Sequence, residues 1–201
     1  MRGQKTGGPG PTAHNLAIFA SGSGSNAEKI MAHFANHPHI RVGIVVSNNG
    51  AAGVLLHAQR YGIPTLIIDK NRFLTGDAYV PHLQEAGITA VVLAGFLLKV
   101  PLTLIDVFGG KVVNIHPALL PKHGGKGMYG KHVHEAVLAQ GDASSGITIH
   151  LVDGQYDHGP QLFSATCAVL PTDDAGTLAQ RVLELEHRHY APTIERWLTT
   201  P

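Results

Sequence analysis

From His14 onward, short β-branched apolar runs alternate with stretches whose apolar residues recur at helical spacing. That alternation leaves few folds open: strands joined through helices run parallel, and a parallel sheet needs helices on both of its faces. The expected strands are Leu16–Ala20, Val42–Val46, Thr65–Ile68, Ala90–Leu93 and Val112–Ile115. The spacing predicts helices over 25–36, 52–61, 76–86 and 101–108, the last opening with Pro101 in a first-turn position, while Gly62 and Gly87 read as helix stops. Beyond Ile115 the pattern changes. A glycine-rich loop from His123 to Gly130 leads into a helix over 131–140, and Gly146–Val152 and Gln161–Val169 follow as two strands that can pair antiparallel at the sheet end. A long helical pattern closes the chain (Leu178, Val182, Leu185, Tyr190, Ile194, Leu198), preceded by Asp173 and Asp174 at the positive end of its dipole.

The expected architecture is therefore α/β: a Rossmann-like, mostly parallel sheet with helices on both faces and antiparallel strands near the C-terminus. At 201 residues and 44% hydrophobic composition the chain can bury one sizeable core. Residues 14–201 read as a single domain behind a flexible leader at 1–13, where Gly, Pro and polar residues show no period. A formal net charge of +1 offers no broad footprint for nucleic acid, so the expected partners are small molecules, with a monomer or homodimer as the assembly. The single cysteine, Cys167, excludes a disulfide framework and reads as a buried structural thiol within Leu162–Leu170. No apolar stretch approaches the roughly 20 residues of a membrane helix and the N-terminus lacks a signal-peptide core, so a cytoplasmic location away from membranes is expected.

Ser21-Gly-Ser-Gly-Ser-Asn26 links the first strand to the first helix. Glycines there let the backbone approach a ligand while free N–H groups and the helix dipole face it, which makes an anion site. The run Gly22-x-Gly24-x-x-Ala27 also fits a loose dinucleotide fingerprint, but that fingerprint needs an acid near the end of the second strand, which here reads Val46-Ser-Asn-Asn49. The missing acid weighs against a nicotinamide oxidoreductase and toward a monophosphate held by Gly24, Ser25 and Asn26. A turn capped by Ser25 or Asn26 with no ligand is the plainer alternative, and a regulatory module that binds a nucleotide through this loop without catalysis is the non-enzymatic one.

Asn114-Ile-His116 ends an apolar run, and alternate strand residues share a face, so amide and imidazole can meet one carbonyl together. Pro117 and Pro121 stiffen the exit from the strand. Asp157, in Tyr156-Asp-His-Gly-Pro160, follows a strand end at His150–Asp153 that is expected to return to the same sheet edge. A carboxylate beside an imidazole favours the protonated ring, which sets His116 as an electrophile near neutral pH. Asn114, His116 and Asp157 then suit an acyl transfer in which an amine attacks directly: two groups stabilise the oxyanion and the set moves a proton from attacking to leaving nitrogen.

At these residues the chain resembles the folate-dependent formyltransferases over about residues 15 to 198. The likeness is carried by Gly22-Ser-Gly-Ser-Asn26, Val91-Val-Leu-Ala-Gly-Phe96, Asn114-Ile-His-Pro-Ala-Leu-Leu-Pro121, Ser145-Gly-Ile-Thr-Ile-His150 and Tyr156-Asp-His-Gly-Pro160. It implies formyl transfer from 10-formyltetrahydrofolate, as co-substrate, to the amino group of glycinamide ribonucleotide in de novo purine synthesis, with Asn114, His116 and Asp157 as the catalytic set. It further implies phosphate contacts from Gly24, Ser25 and Asn26 and a ribose contact from Glu186. Folate contacts would come from Gly95, Phe96, Leu97, Leu98, Val100, Asn114 and Asp153, with His150 in support. Gly95 also opens backbone space for a flat heterocycle.

Three departures stand out: Ala118 where many relatives have Ser, Leu98 where a basic residue is usual, and a longer loop at Lys122–Gly130. The same triad serves formyltetrahydrofolate hydrolase and methionyl-tRNA formyltransferase; the extra domains usual in those enzymes have no counterpart in this sequence, and the phosphate loop favours a nucleotide acceptor. The pairs His37/His39, His132/His134 and His187/His189 lack accompanying carboxylates or thiols, so these side chains read as solvated and no metal is expected.

Overall fold

A computed structural model describes residues 14–200. The leader expected at 1–13 lies outside the described residues. Seven strands form one sheet in the order β3-β2-β1-β4-β5-β6-β7: β1 (His14–Phe19), β2 (Ile40–Ser47), β3 (Thr65–Ile67), β4 (Ala90–Leu93), β5 (Val112–His116), β6 (Ser144–Leu151) and β7 (Gln161–Ala168). The first five pair in parallel, while β6 runs antiparallel to both β5 and β7. From β1 the chain goes to β2 on one side and later to β4 on the other. The loops after β1 and β4 therefore leave side by side, at the kind of switch point where ligands enter open α/β sheets.

Strand alternation divides the core in two. Leu16 and Ile18 of β1, Val92 of β4 and Val113 and Ile115 of β5 face one layer, together with α1 (Ser25–Phe34), α2 (Val54–Arg60), α6 (Lys131–Gln140) and α7 (Ala175–Thr199). Ala17, Phe19, Val91, Leu93 and Val112 face the other, against α3 (Lys70–Leu74), α4 (Val80–Glu85) and α5 (Leu102–Val107). On β5 this second face continues from Val112 to Asn114 and His116, so two polar residues stand where the apolar layer ends.

The helix expected over 76–86 is confined to α4, and α3, over 70–74, is a short helix that the spacing did not predict. Asp69 accepts from the Arg72 amide and starts α3, Gly76 breaks the run, and α4 begins at Val80 with Pro81 in its first turn, where a missing N–H does no harm. Pro101 likewise is the extended residue that precedes α5 rather than part of its first turn. Gly62 and Gly87 do end helices: the amides of Gly62 and Ile63, and of Gly87 and Ile88, each turn back to the last carbonyls of the helix before them. The acids before α7 divide the work. Asp174 forms a capping box with Thr177, and Asp173 pairs with Arg181 through both oxygens. Cys167 is half-buried on β7 and its thiol is pushed up by burial.

The last helix is tied to the sheet at Tyr190. This side chain is fully buried, and its hydroxyl donates to the Leu93 carbonyl at 2.8 Å, with the Val113 carbonyl at 3.2 Å. Tyr190→Phe would leave both carbonyls dry, at an expected loss of roughly 1–2 kcal/mol. A urea unfolding midpoint equal to that of the wild type contradicts this anchor.

Candidate active site

The loops after β1 and β4 are joined by backbone and by one hydroxyl. The Ser21 amide donates to the Gly95 carbonyl at 3.1 Å, and the Leu97 amide donates to Ser21 Oγ at 3.0 Å. Beside them opens a cavity of about 540 Å³, a size that suits a small ligand. Its wall includes Asn26, Asn114, His116, Asp157 and Glu186, and also Gly95, Phe96, Leu97, Leu98, Val100 and Asp153.

Register explains the convergence. Asn114 lies opposite His150, and His116 opposite Thr148, across the β5–β6 ladder. Asn114 Nδ2 lies 3.2 Å from His150 Nε2, while His150 Nδ1 donates to its neighbour's carbonyl, Leu151 O, at 2.9 Å. The ring nitrogen facing Asn114 is thereby left to accept. His116 Nε2 donates to the His123 carbonyl at 2.8 Å, and its Nδ1 faces Asp157 Oδ2 at 3.6 Å. Asp157 Oδ1 is 3.6 Å from His150 Nε2, and Asp157 Oδ2 accepts the Gly125 amide at 2.9 Å. One carboxylate thus serves two imidazoles at ion-pair range.

Asp157 does not get there by the expected route. Because β6 is antiparallel to β5, it runs away from the edge where β5 ends. The loop after β6 doubles back over the face that carries Asn114, His116 and His150. Asp157 adopts left-handed backbone in this loop (φ 52), a conformation open to Asp and Asn at low cost.

Protonation also departs from the expectation. Burial is the largest influence on His116 and holds its pKa below the ordinary histidine range, although Asp157 and the His123 carbonyl pull it up. The resting ring is therefore neutral at neutral pH, since exclusion of water outweighs the carboxylate. Burial pushes the Asp157 carboxyl up, but the neighbouring His150 and His116 rings and the Gly125 amide outweigh it and leave it below the ordinary carboxylate range.

Of the three residues expected at the phosphate loop, only Asn26 lines the cavity. Ser25 opens α1, and Gly24 precedes it in left-handed conformation (φ 80), with no side-chain cap from either neighbour. A β-carbon on Gly24 would fall 2.5 Å from Val54 Cβ, so close packing on α2 is a sufficient reason for glycine there. Asn26 Nδ2 donates to Glu186 Oε2, joining α1 to α7 at the cavity wall. The Glu186 carboxyl is pushed up by burial, against the pull of that amide.

Phe96 has two roles: its ring packs edge-on to Phe19 and Phe73 at 5.2 and 5.5 Å while the residue lines the cavity. The charge absent at Leu98 stands one position on, where Lys99 Nζ lies 5.5 Å over the Tyr156 ring. Beside the apolar Ala118, Thr148 donates to the Ala118 carbonyl at 2.8 Å and accepts the Leu120 amide at 3.0 Å. Met128, Tyr129 and Lys131 add a wall from the long loop and the start of α6.

His134, expected to be solvated, is buried on α6 and lines the cavity, while its neighbour in the pair, His132, is exposed. Residues two apart on a helix diverge, so the pair could have been split, but nothing local told which ring faces inward. His37 is half-buried as well, with Nε2 at 3.3 Å from Glu195, which also takes His33 at 2.6 Å.

A model of the family described as formyl transferase matches residues 14–194. The chain belongs to the formyl transferase family. Among proteins similar to it, the chloroplastic phosphoribosylglycinamide formyltransferase of Arabidopsis thaliana is 38% identical over 190 residues, 92% of this chain and 65% of that protein. Its counterpart in Vigna unguiculata is 41% identical over 187 residues, 90% of this chain and 59% of that protein. This formyl transferase thus spans less than two thirds of the length of each plant relative. The crystal structure of phosphoribosylglycinamide formyltransferase from Anaplasma phagocytophilum superposes with a TM-score of 0.84 at 32% identity, over 92% of this chain and 87% of that one. No helix among the described residues is long and apolar enough to cross a membrane.

The pH response follows from the His116 environment. A depressed native pKa means that the unfolded ring binds a proton first, so the contribution to stability is complete above about pH 6.5 and falls as pH drops through the native value. An NMR titration of the His116 ring is expected to give a midpoint below about 6.5. A midpoint at or above that value contradicts the assignment.

Proposed function

We propose that this formyl transferase moves a formyl group from 10-formyltetrahydrofolate to the amino group of glycinamide ribonucleotide, the step of purine synthesis after which its plant relatives are named. The observation that carries the reading is the meeting of an amide, an imidazole and a carboxylate in one cavity, with Asn26 and Glu186 on the same wall. Residues 14–201 act as one catalytic domain, and both reactants are small molecules. A cytoplasmic location stays part of the proposal.

In this scheme the first turn of α1, with Asn26, holds the phosphate of the acceptor, and Glu186 contacts its ribose. The segment Gly95–Val100, with Asp153, receives the folate, and Lys99 supplies the positive charge for an acidic substituent at the cavity mouth. The amine of the acceptor attacks the formyl carbon. A C–N bond forms as the carbonyl electrons move to oxygen; Asn114 Nδ2 donates to that oxyanion, and His116 adds its charge once Nδ1 has taken the proton of the attacking nitrogen. His116, Asp157 and His150 pass one proton from the attacking nitrogen to N10 of the folate, whose bond to the formyl carbon then breaks. With Nε2 committed to the His123 carbonyl, Nδ1 is the His116 atom that exchanges the proton.

Purified protein mixed with the formyl folate should release deformylated folate, followed by absorbance, with glycinamide ribonucleotide and not with charged initiator tRNA or water. Turnover with water alone would instead mark a hydrolase. Asp157→Asn, which keeps the left-handed backbone, is expected to lower kcat about 10²–10⁴-fold, with nucleotide affinity little changed. Full activity removes Asp157 from the scheme. Asn26→Leu is expected to raise the KM for the nucleotide at least about tenfold and leave that for the folate unaltered. Equal nucleotide affinity by calorimetry would move the phosphate elsewhere.

A further inference from the structure

The long loop after β5 contains a contact that the reaction scheme leaves unused. His123 adopts left-handed backbone (φ 54), which a residue with a β-carbon keeps only where its surroundings hold it. Its ring supplies that hold: Nε2 lies 2.7 Å from Asp142 Oδ2, just past the end of α6, while Lys122 Nζ covers the other oxygen at 2.7 Å. The His123 ring is buried and Asp142 is largely so. The carbonyl of the same residue receives the Nε2 proton of His116 at 2.8 Å.

A neutral imidazole carries one N–H. Committing it to Nε2 leaves a lone pair on Nδ1, the nitrogen that faces Asp157. Without a fixed carbonyl at Nε2 the ring is free to take the other tautomer and donate from Nδ1 to Asp157, which would remove its basic atom from the cavity. The following residues act in the same direction. The Gly125 amide binds Asp157, and a β-carbon on Gly124 would fall 2.6 Å from Leu120 Cδ2 and 3.3 Å from Asp157 Cβ.

We propose that His123 and Asp142 are positioning residues for the reaction: their contact holds the His123 carbonyl in place and so selects the His116 tautomer with a free Nδ1. This rests on the reading of His116 as the proton-exchanging group. Asp157, His150, His123 and His134 are the titratable groups that act on His116, and Lys122 is the charged group beside Asp142.

The test compares the wild type with Asp142→Ala, Asp142→Asn and His123→Gly. In ¹⁵N-labelled protein the His116 ring shifts should report the Nε2-protonated tautomer in the wild type and a mixture in Asp142→Ala and His123→Gly. Both variants should lose kcat about tenfold with KM for either substrate within about twofold. The acidic limb of the kcat profile should move to lower pH, because the His123 carbonyl supports the protonated ring. Asp142→Asn keeps an oxygen for the His123 N–H and should restore both the tautomer and most of the rate.

Wild-type tautomer and pH profile in both Asp142→Ala and His123→Gly overturn the proposal even if the melting temperature drops, since a loop that only braces the fold would change melting alone. Failure of the wild type to formylate glycinamide ribonucleotide would overturn the functional reading and leave the tautomer measurement intact.

Discussion

Gly159 meets the Leu151 carbonyl so closely that an added β-carbon would fall 1.9 Å from the oxygen, and the Leu151 amide donates to Pro160 O at 2.9 Å. These contacts pinch shut the base of the loop between β6 and β7. A wider base would let the loop follow β6 away from the site. Closed as it is, the loop folds back over the sheet and delivers Asp157 to two imidazoles that strand register has already aligned. The carboxylate position thus depends on a backbone contact at the loop base as well as on the Gly125 amide that binds it.

That placement creates the electrostatic character of the site. Two rings and a carboxylate are held at ion-pair distance in a space that largely excludes water. Charge is costly there, so His116 rests neutral while Asp157 stays ionised through its donors. Such a set can receive a proton in transit without holding one beforehand, which is what an uncharged amine attacking an uncharged formyl group requires.

Strand alternation and β-branched runs made the sheet legible, and the order of its elements followed from them. The Asn114 and His116 pair was legible for the same reason, since a period of two settles which side chains share a face. What stayed hidden depended on long-range geometry. The route of Asp157 requires knowledge of a hairpin closed by backbone, and the neutrality of His116 requires knowledge of burial. His134 faces the cavity only because α6 packs with that side inward. The short helix α3 was missed because its five residues are too few to show a helical period, and Pro81 marked the true start of α4.

The Ser21 hydroxyl receives an amide from the loop after β4 while its own amide reaches back to Gly95. Two segments proposed to hold different reactants are thus riveted to one another at neighbouring strand ends, which lie about 4.8 Å apart in any sheet. In the proposed scheme, the spacing of the two reactant sites is therefore tied to the pitch of the β-sheet. Two molecules docked on such a pair of loops would meet at a separation set when the chain folds, and the entropy of bringing them together would be met before any chemistry starts.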